Sequence, residues 1–413
     1  MKIRFIVAGL VALAACRPQS SPSVSAPVSP VAATAGATDI GTPRSRACAD
    51  SSTGSSRFAA TWRLRAACGA VFGPHAMVAT DAPLASQAGV EILKQGGNAV
   101  DAAVAVGFAL AVAYPEAGNL GGGGYMVIHM ADGRAAALDY REVAPLAATR
   151  NMYVDSAGKL TDKSIVGPTA SGVPGAVAGL TAALAKYGTM SLAQVMAPAI
   201  RYAEQGVTVD TALHNSLHSN RELIADFGGD SLFLPNGDAP AIGAVLRQPA
   251  LARTLHAIAE RGRSAFYEGD IARAWTSELQ KQGGIITMED LARYQAVWHE
   301  PIRSTYRGYT LLTMPPSSSG GVTITESMNI LEGFSPMPPF GSTQWAHLLG
   351  SAYQRAFIDR NAKLADPAFV SVPIAQLTSK SYASSLRATI APDHATPTSE
   401  VMQRMHGASA AGS

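Results

Sequence analysis

A glycine-rich stretch that leads into two short apolar segments places the tightest limit on how this chain folds. Four consecutive glycines, Gly121 to Gly124, precede a predicted strand over 125–130. Asp132-Gly133 is a hairpin signal, because both residue types accept positive φ. A second predicted strand over 134–140 leads to Arg141 and Glu142. We therefore expect an antiparallel hairpin that starts at bare backbone and ends at a charged pair.

A two-residue loop would place Ala131 opposite Arg134 and Arg141 opposite Gly124. The Arg141 guanidinium would then lie beside backbone N–H groups, including those of Gly123 and Gly124, that no side chain covers. A forked cation and oriented amides together suit a carboxylate. The alternative is that the glycines only admit another backbone and that Arg141 pairs with a structural aspartate. Spacing alone leaves the two interpretations balanced.

Composition limits the class of protein. The chain has 413 residues, of which 47% are hydrophobic and 15% are charged, so it can bury one large core or two ordinary ones. Its net charge is +2 and it contains no long basic run. Nucleic-acid binding therefore has no electrostatic basis in this sequence.

The first 16 residues are typical of a bacterial lipoprotein signal. Lys2 and Arg4 precede an apolar run over 5–15, and the segment ends in Leu-Ala-Ala-Cys16. Eleven residues are too few to span a bilayer. We expect export, lipidation of Cys16, and attachment through the lipid alone to the periplasmic side of a membrane, the outer membrane being favoured. The alternative is an ordinary secretory signal that happens to contain a cysteine.

The predicted domain organisation has three further parts. Residues 17–60 are rich in Ser, Pro and Ala and predict a disordered tether. Residues 61–390 form the folded region, and 391–413 read as an irregular linker. Cys48 and Cys68 either pair in an oxidising compartment or stay as free thiols.

Within the folded region, the pattern predicts a strand over 77–80, a buried helix over Ala99–Ala113 and a single strand over 303–314. His214 and His218 have metal-ligand spacing, but the sequence offers no third ligand nearby, so we expect no metal site. The run Pro-Pro-Ser-Ser-Ser-Gly-Gly that ends at Gly321 lacks a strand–Gly-x-Ser-x-Gly elbow. Its serines are interpreted as loop and helix-cap hydroxyls.

Several segments together resemble the gamma-glutamyltransferase (gamma-glutamyltranspeptidase) family, from about Met77 to Ile390 and in the family's order. They read MVATDAPLASQAGVEILKQGGNAVDAAVA, GNLGGGGYMVI, DYREVAP, GVPGAVAGL, GGIITMEDLARYQAVWHEPIRSTYRGY, MPPSSSGG and YQRAFIDRNAKLADPAFVSVP. Each motif alone is modest, whereas the set is highly specific.

The resemblance implies an α/β fold, the four-layer αββα sandwich of the N-terminal-nucleophile hydrolases, of which this chain would form the large-subunit part. It also implies that one precursor cuts itself into a large and a small subunit. The enzyme moves a gamma-glutamyl group, as in glutathione, to water or to an amino acid or peptide, and no cofactor is implied. Arg141 matches the arginine that holds the donor's α-carboxylate. Glu142, Gly123, Gly124, Ser318 and Ser319 lie in matching motifs and are expected to have supporting roles.

One departure from the family concerns the nucleophile. The resemblance implies a threonine in a Thr-Thr-His-x-Ser pattern just after the linker, at the start of the small subunit, and no such pattern occurs in this sequence. The nucleophile is expected beyond Ser413, so this chain alone is predicted to be inactive. Three alternatives stay open: a related acylase acting on amide side chains of beta-lactams, a poly-gamma-glutamate-cleaving enzyme, and a catalytically silent exported lipoprotein that binds gamma-glutamyl compounds.

Overall fold

The computed structural model describes residues 73–410, with side chains described as far as residue 405. The signal segment, the tether, Cys16, Cys48 and Cys68 lie outside the described residues. The predictions for them therefore stay predictions.

The described chain is mixed α/β and mostly helical. Its strands are β1 (Tyr125–His129), β2 (Ala135–Asp139), β3 (Val207–Thr208), β4 (Val245–Leu246), β5 (Val297–His299), β6 (Ile302–Tyr306) and β7 (Tyr309–Thr313). The longer helices are α1 (Pro83–Lys94), α2 (Ala99–Ala113), α3 (Ala176–Tyr187), α4 (Leu192–Gln205), α5 (Thr211–Ser219), α8 (Pro249–Arg261), α10 (Gly269–Lys281), α12 (Gly320–Glu332), α13 (Thr343–Lys363), α15 (Lys380–Ala388) and α16 (Thr398–Ala410). Shorter ones are α6 (Arg221–Asp226), α7 (Asp230–Phe233), α9 (Arg263–Tyr267), α11 (Met288–Arg293), α14 (Ile374–Leu377) and a 3₁₀ turn at Asp162–Ser164.

Helix α2 is the centre of the main core, as its composition predicts. It packs against α1, α3 and α4, and Val104, Phe108 and Val112 are fully buried. Small residues allow the close approach: a Cβ on Gly107 would stand 2.7 Å from a Leu180 methyl carbon of α3. The Ala- and Val-rich sequence of this helix thus allows neighbours on several sides instead of presenting one polar face to water.

Asp101 is the buried polar exception on α2. Its carboxylate accepts hydrogen bonds from the Asn98 N–H in a capping box, and from the Thr189 N–H, Thr189 hydroxyl and Met190 N–H in the turn before α4. Burial raises the pKa of this carboxyl, but the hydrogen bonds from Thr189, Asn98 and Met190 outweigh it and hold the pKa below its ordinary value. Asp101 therefore fixes the start of α2 to the α3–α4 connection.

The predicted glycine-rich hairpin is present, but its register differs by one residue from the prediction. Met130 pairs with Arg134 through the Met130 N–H, so the loop has three residues, and Gly133 adopts φ +85°. A third loop residue in the left-handed region is the usual way to close a three-residue hairpin. Tyr125 consequently faces Asp139, and β2 lies between β1 and β5 in a three-stranded antiparallel sheet.

Two other strand predictions were wrong. Residues 77–80 form no strand. The predicted single strand over 303–314 is a hairpin of β6 and β7, which turns at Arg307 and Gly308 with φ of +49° and +87°. Two successive residues with positive φ form the type of tight turn that suits the right-handed twist of paired strands.

A second apolar cluster joins α12, α13, α15 and α16. The predicted irregular linker is helical from Thr398, because Val401 and Met405, one turn apart, are buried in this cluster. Gln354 of α13 secures the entry to α16 by donating to the Thr396 carbonyl and the Thr398 hydroxyl. Among the described residues, no helix is long and apolar enough to cross a membrane.

Candidate active site

The glycine run brings the two arms of the hairpin together at their open end. Gly124 and Tyr140 exchange backbone hydrogen bonds of 3.1 and 2.9 Å. Arg141 therefore lies opposite Gly123, not Gly124. A Cβ on Gly123 would stand 2.4 Å from the Tyr140 carbonyl oxygen and 2.9 Å from the Arg141 Cα, so only glycine fits there. The Gly124 N–H donates to the Tyr140 carbonyl inside the sheet, and the supporting roles of Gly123 and Gly124 stay predictions.

The Arg141 side chain extends from the end of this hairpin and is half exposed. Its Nη1 is 3.3 Å from Oε2 of Glu142, and its Cζ lies 6.0 Å from the centre of the Tyr125 ring. Oε2 of Glu142 is buried yet forms no hydrogen bond with any described residue, so the contact is a charge pair without hydrogen-bond geometry. Because such a partly exposed pair contributes little, most of the guanidinium donors stay able to bind a carboxylate.

The Arg141 backbone is more tightly held than its side chain. Its N–H donates to Oδ1 of Asp139 over 2.9 Å, and its carbonyl accepts from the Tyr294 hydroxyl over 2.8 Å. Arg141 is therefore fixed at both of its peptide groups, and its half-exposed side chain extends from this fixed backbone.

The serine-rich loop reaches the same place through Ser317. Its hydroxyl donates to Oδ2 of Asp139 over 2.7 Å and lies 2.9 Å from the Tyr125 hydroxyl. Burial is the main cause that raises the pKa of the Tyr125 phenol. Two motifs separated by 178 residues thus meet at the end of the hairpin.

Ser318 and Ser319 have other contacts. The Ser318 hydroxyl accepts from the Gly320 N–H over 3.3 Å, and the Ser319 hydroxyl accepts from Nε of Arg360 over 3.3 Å. Both precede α12, but the Ser319 hydroxyl caps no N–H of that helix, so the interpretation as a cap hydroxyl does not hold for Ser319. The supporting role of the two serines at the site stays a prediction.

Four residues of this site were missed by sequence reasoning. Tyr125 and Asp139 form a directly opposed cross-strand pair, and a three-residue loop assignment would have revealed them. Ser317 lies in a recognised motif, so proximity to it was the available signal. Tyr294 follows Arg141 by 153 residues; it also lies in a recognised motif, but nothing in the sequence links it to Arg141.

The histidine pair does not form part of this site. The rings of His214 and His218 stack with centroids 6.0 Å apart. Nδ1 of His214 lies 2.9 Å from the Pro240 carbonyl oxygen, and Nδ1 of His218 lies 2.7 Å from Oδ1 of Asp238. Each ring thus has a structural contact, and no group of three possible metal ligands occurs within the described part of the chain.

The chemistry available in the described residues is recognition of an anion. The histidine hydrogen bonds among them all reach a carbonyl or carboxylate oxygen, so they do not include a serine–histidine pair for nucleophilic attack. Arg141 supplies a cationic fork at the junction of two loops. The arrangement is therefore suited to holding a carboxylate.

Comparison with known proteins decides the family. Residues 85–412 match the family model described as gamma-glutamyltranspeptidase. The chain belongs to the gamma-glutamyltranspeptidase family. It is 46% identical over 329 residues to the glutathione hydrolase proenzyme of Escherichia coli (strain K12), which covers 79% of this chain and 57% of that protein. It is 45% identical over 327 residues to the Acylase ACY 1 proenzyme of Pseudomonas sp. (strain SE83), which covers 77% of this chain and 59% of that protein.

The solved structures agree. The chain is similar to the Helicobacter pylori gamma-glutamyltranspeptidase structure with a TM-score of 0.78 and 41% identity, over 80% of this chain and 96% of that one. The predicted fold class, that of the N-terminal-nucleophile hydrolases, is thereby confirmed. The chain spans less than 60% of the length of the two curated family members, both of which are proenzymes.

Proposed function

We propose that this family member supplies the donor-carboxylate side of an enzyme that transfers the gamma-glutamyl group of glutathione and similar compounds to water, an amino acid or a peptide. The observation that supports this most strongly is the half-exposed Arg141 guanidinium, whose backbone is fixed at the meeting point of the DYREVAP and MPPSSSGG motifs. A planar fork of donors on a rigid support suits the flat, two-oxygen shape of a carboxylate.

We further propose that the nucleophile is a threonine at the start of a small subunit cut from the same precursor. Its own α-amine would serve as the base, so the histidines described above are not needed. The family's Thr-Thr-His-x-Ser pattern does not occur in the 413 residues, and the related proteins are proenzymes. On this proposal, the chain by itself would bind the donor without catalysing the reaction.

The exposed apolar surface of α12, α13 and the loop after α13 is an argument for a partner subunit. Ile324 of α12, Tyr353 and Phe357 of α13, and Phe369 and Val370 of the loop are all exposed, and Phe369 is 85% exposed. Large apolar side chains exposed in this number are typical of a surface that another chain covers.

We propose in addition that the protein is exported and held at the periplasmic side of a bacterial membrane by a lipid on Cys16. The support is the sequence of residues 1–16 alone. Metabolic labelling with an alkyne fatty acid tests this proposal: a Cys16→Ser variant should lose the label and be released from membranes, and equal labelling of the two proteins would refute it.

The donor site is tested by Arg141→Lys in protein expressed from its complete reading frame, with gamma-glutamyl-p-nitroanilide as substrate. A point ammonium cannot reproduce the bidentate contact, so KM should rise about 10- to 100-fold. Arg134→Lys is the matched control, because Arg134 lies on the same hairpin but pairs with Asp132 at the far turn. An unchanged KM for Arg141→Lys would remove Arg141 from the substrate site.

An acylase is a second candidate, since the Acylase ACY 1 proenzyme is nearly as similar to this chain as the glutathione hydrolase proenzyme. Glutaryl-p-nitroanilide has the same carboxylate but no α-amino group, so it separates the two candidates. Faster turnover of the glutaryl compound would favour the acylase. Calorimetric binding of a gamma-glutamyl compound without turnover of either anilide would favour the silent binding protein.

A further inference from the structure

The two hydrogen bonds on the Arg141 backbone come from different parts of the fold. Asp139 lies two residues earlier on the hairpin, and its side chain accepts the Arg141 N–H. Tyr294 follows α11, and its hydroxyl donates to the Arg141 carbonyl. The first bond shapes the exit from the strand locally, whereas the second joins that exit to the helical core.

Tyr294 is itself firmly fixed. It is 3% exposed, and its ring stacks on Tyr267 with centroids 5.8 Å apart and planes 12° from parallel. Arg263 donates to the Tyr294 carbonyl over 2.7 Å and lies 4.6 Å from the centre of the Tyr267 ring. The Tyr294 hydroxyl is therefore presented to Arg141 from a rigid base.

The surroundings of the Tyr294 hydroxyl are closely packed. A Cβ on Gly175 would stand 2.1 Å from the Tyr294 hydroxyl and 2.0 Å from the Tyr140 carbonyl oxygen. The N–H groups of Gly175 and Ala176 both donate to the Gly122 carbonyl, at 2.8 and 2.9 Å. The start of α3, the glycine run and the Arg141 backbone are thus packed against one another.

The phenol keeps its proton in this setting. Burial, followed by the nearby Tyr267 and the carboxylates of Asp139 and Glu142, raises the pKa of Tyr294 well above its ordinary value. It therefore stays a hydrogen-bond donor at every pH at which the protein would work.

We propose that Tyr294 and Asp139 are positioning residues for Arg141: they fix its peptide groups so that the guanidinium meets the donor's carboxylate in one orientation. This inference rests on the proposed function of Arg141 and extends it to two residues that do not touch the substrate. Pre-fixing the backbone lowers the ordering cost of binding, so its loss should appear in KM more than in kcat.

The first experiment compares Tyr294→Phe with Tyr267→Phe, using the gamma-glutamyl anilide assay. The control is closely matched, because Tyr267 is the buried stacking partner and also donates to a carbonyl, that of Pro174, over 2.7 Å. Tyr294→Phe should raise KM about fivefold with kcat within twofold, whereas Tyr267→Phe should leave KM within twofold. Equal KM changes in the two variants would mean general loosening of the core and would overturn the proposal for Tyr294.

The second experiment tests the other hydrogen bond without relying on the core. Asp139→Asn keeps an acceptor for the Arg141 N–H, and Asp139→Ala removes it. KM should rise for the alanine variant and stay near the wild-type value for the asparagine variant. A rise of the same size in both variants would show that charge rather than position matters at Asp139.

A third readout separates this inference from the proposed function. Phenylglyoxal modifies accessible arginines, and mass spectrometry of the peptide containing Arg141 gives its rate without any turnover. In the Tyr294→Phe variant, phenylglyoxal should modify Arg141 at least threefold faster than in the Tyr267→Phe variant. This difference should appear even if no gamma-glutamyl compound is a substrate. Equal rates would overturn the positioning role, whereas inactive wild-type protein would overturn only the function.

Discussion

A buried pair of carboxyl groups makes stability depend on pH in a direction that can be worked out. Glu326 of α12 and Asp359 of α13 are 1% and 2% exposed. Lys363 lies 2.7 Å from one oxygen of Asp359, and the Tyr382 hydroxyl donates to the other over 2.6 Å. Asp359 thus has both a cation and a donor, whereas Oε1 of Glu326 forms no hydrogen bond with any described residue.

Burial, and then the charge of Asp359, raises the pKa of Glu326 to about 9. In the unfolded chain this carboxyl titrates near 4.5. Between these two values the folded protein holds a proton that the unfolded chain has released, so the free energy of unfolding falls as pH rises. One such proton contributes about 1.4 kcal/mol per pH unit, or about 4 kcal/mol between pH 5 and pH 8.

Glu326→Gln tests this directly, because the amide keeps a donor but cannot lose a proton in this range. Denaturant unfolding at pH 5, 6, 7 and 8 should show a free energy that falls more steeply for the wild type than for the variant. At pH 5 the two should be similar, and at pH 8 the variant should be more stable by up to about 4 kcal/mol. Glu332→Gln is the control: it lies on the same helix, but Lys380 at 2.6 Å is the first cause that lowers its pKa. Parallel curves for the wild type and Glu326→Gln would refute the reasoning.

Three further outcomes are expected from denaturant unfolding of single variants. Asp101→Ala should cost about 3 kcal/mol, because three partly buried N–H groups lose their acceptor, and a loss under 1 kcal/mol would contradict the anchoring role. Gly175→Ala should be at least as damaging, since its Cβ would meet the Tyr140 carbonyl oxygen and the buried, stacked ring of Tyr294; a stable, fully folded variant would show that these groups can move. Gly350→Ala, on the exposed face of α13 with nothing within 4 Å, should instead stabilise by about 0.5–1 kcal/mol, and destabilisation would count against the helix assignment.

Local patterns predicted much of the helical part correctly. The sequence places α2 at its observed bounds, Ala99–Ala113, where Asn98 caps the start of the helix. It fails at α16, where helix formation depends on burying Val401 and Met405 against distant residues. Such tertiary stabilisation cannot be read from a segment that looks irregular by itself.

The site shows the same division between local and distant information. The hairpin and Arg141 were predictable, but one extra loop residue changed which side chains face each other. In a strand of period two, that shift exchanges the neighbours of every position. Tyr294 lies in a recognised motif, but its contact with Arg141 could not be predicted, because a hydroxyl-to-carbonyl bond across 153 residues leaves no periodic or compositional trace.

The dependence of Arg141 on Tyr294 has a practical consequence for protein engineers. A mutant library limited to the glycine run and the hairpin would change Arg141 and its local neighbours. It would leave unchanged the distant Tyr294, whose hydroxyl holds the Arg141 backbone. On the proposed role of Arg141, including position 294 and its stacked neighbour at 267 would let selection change the preference for the donor without altering Arg141 itself.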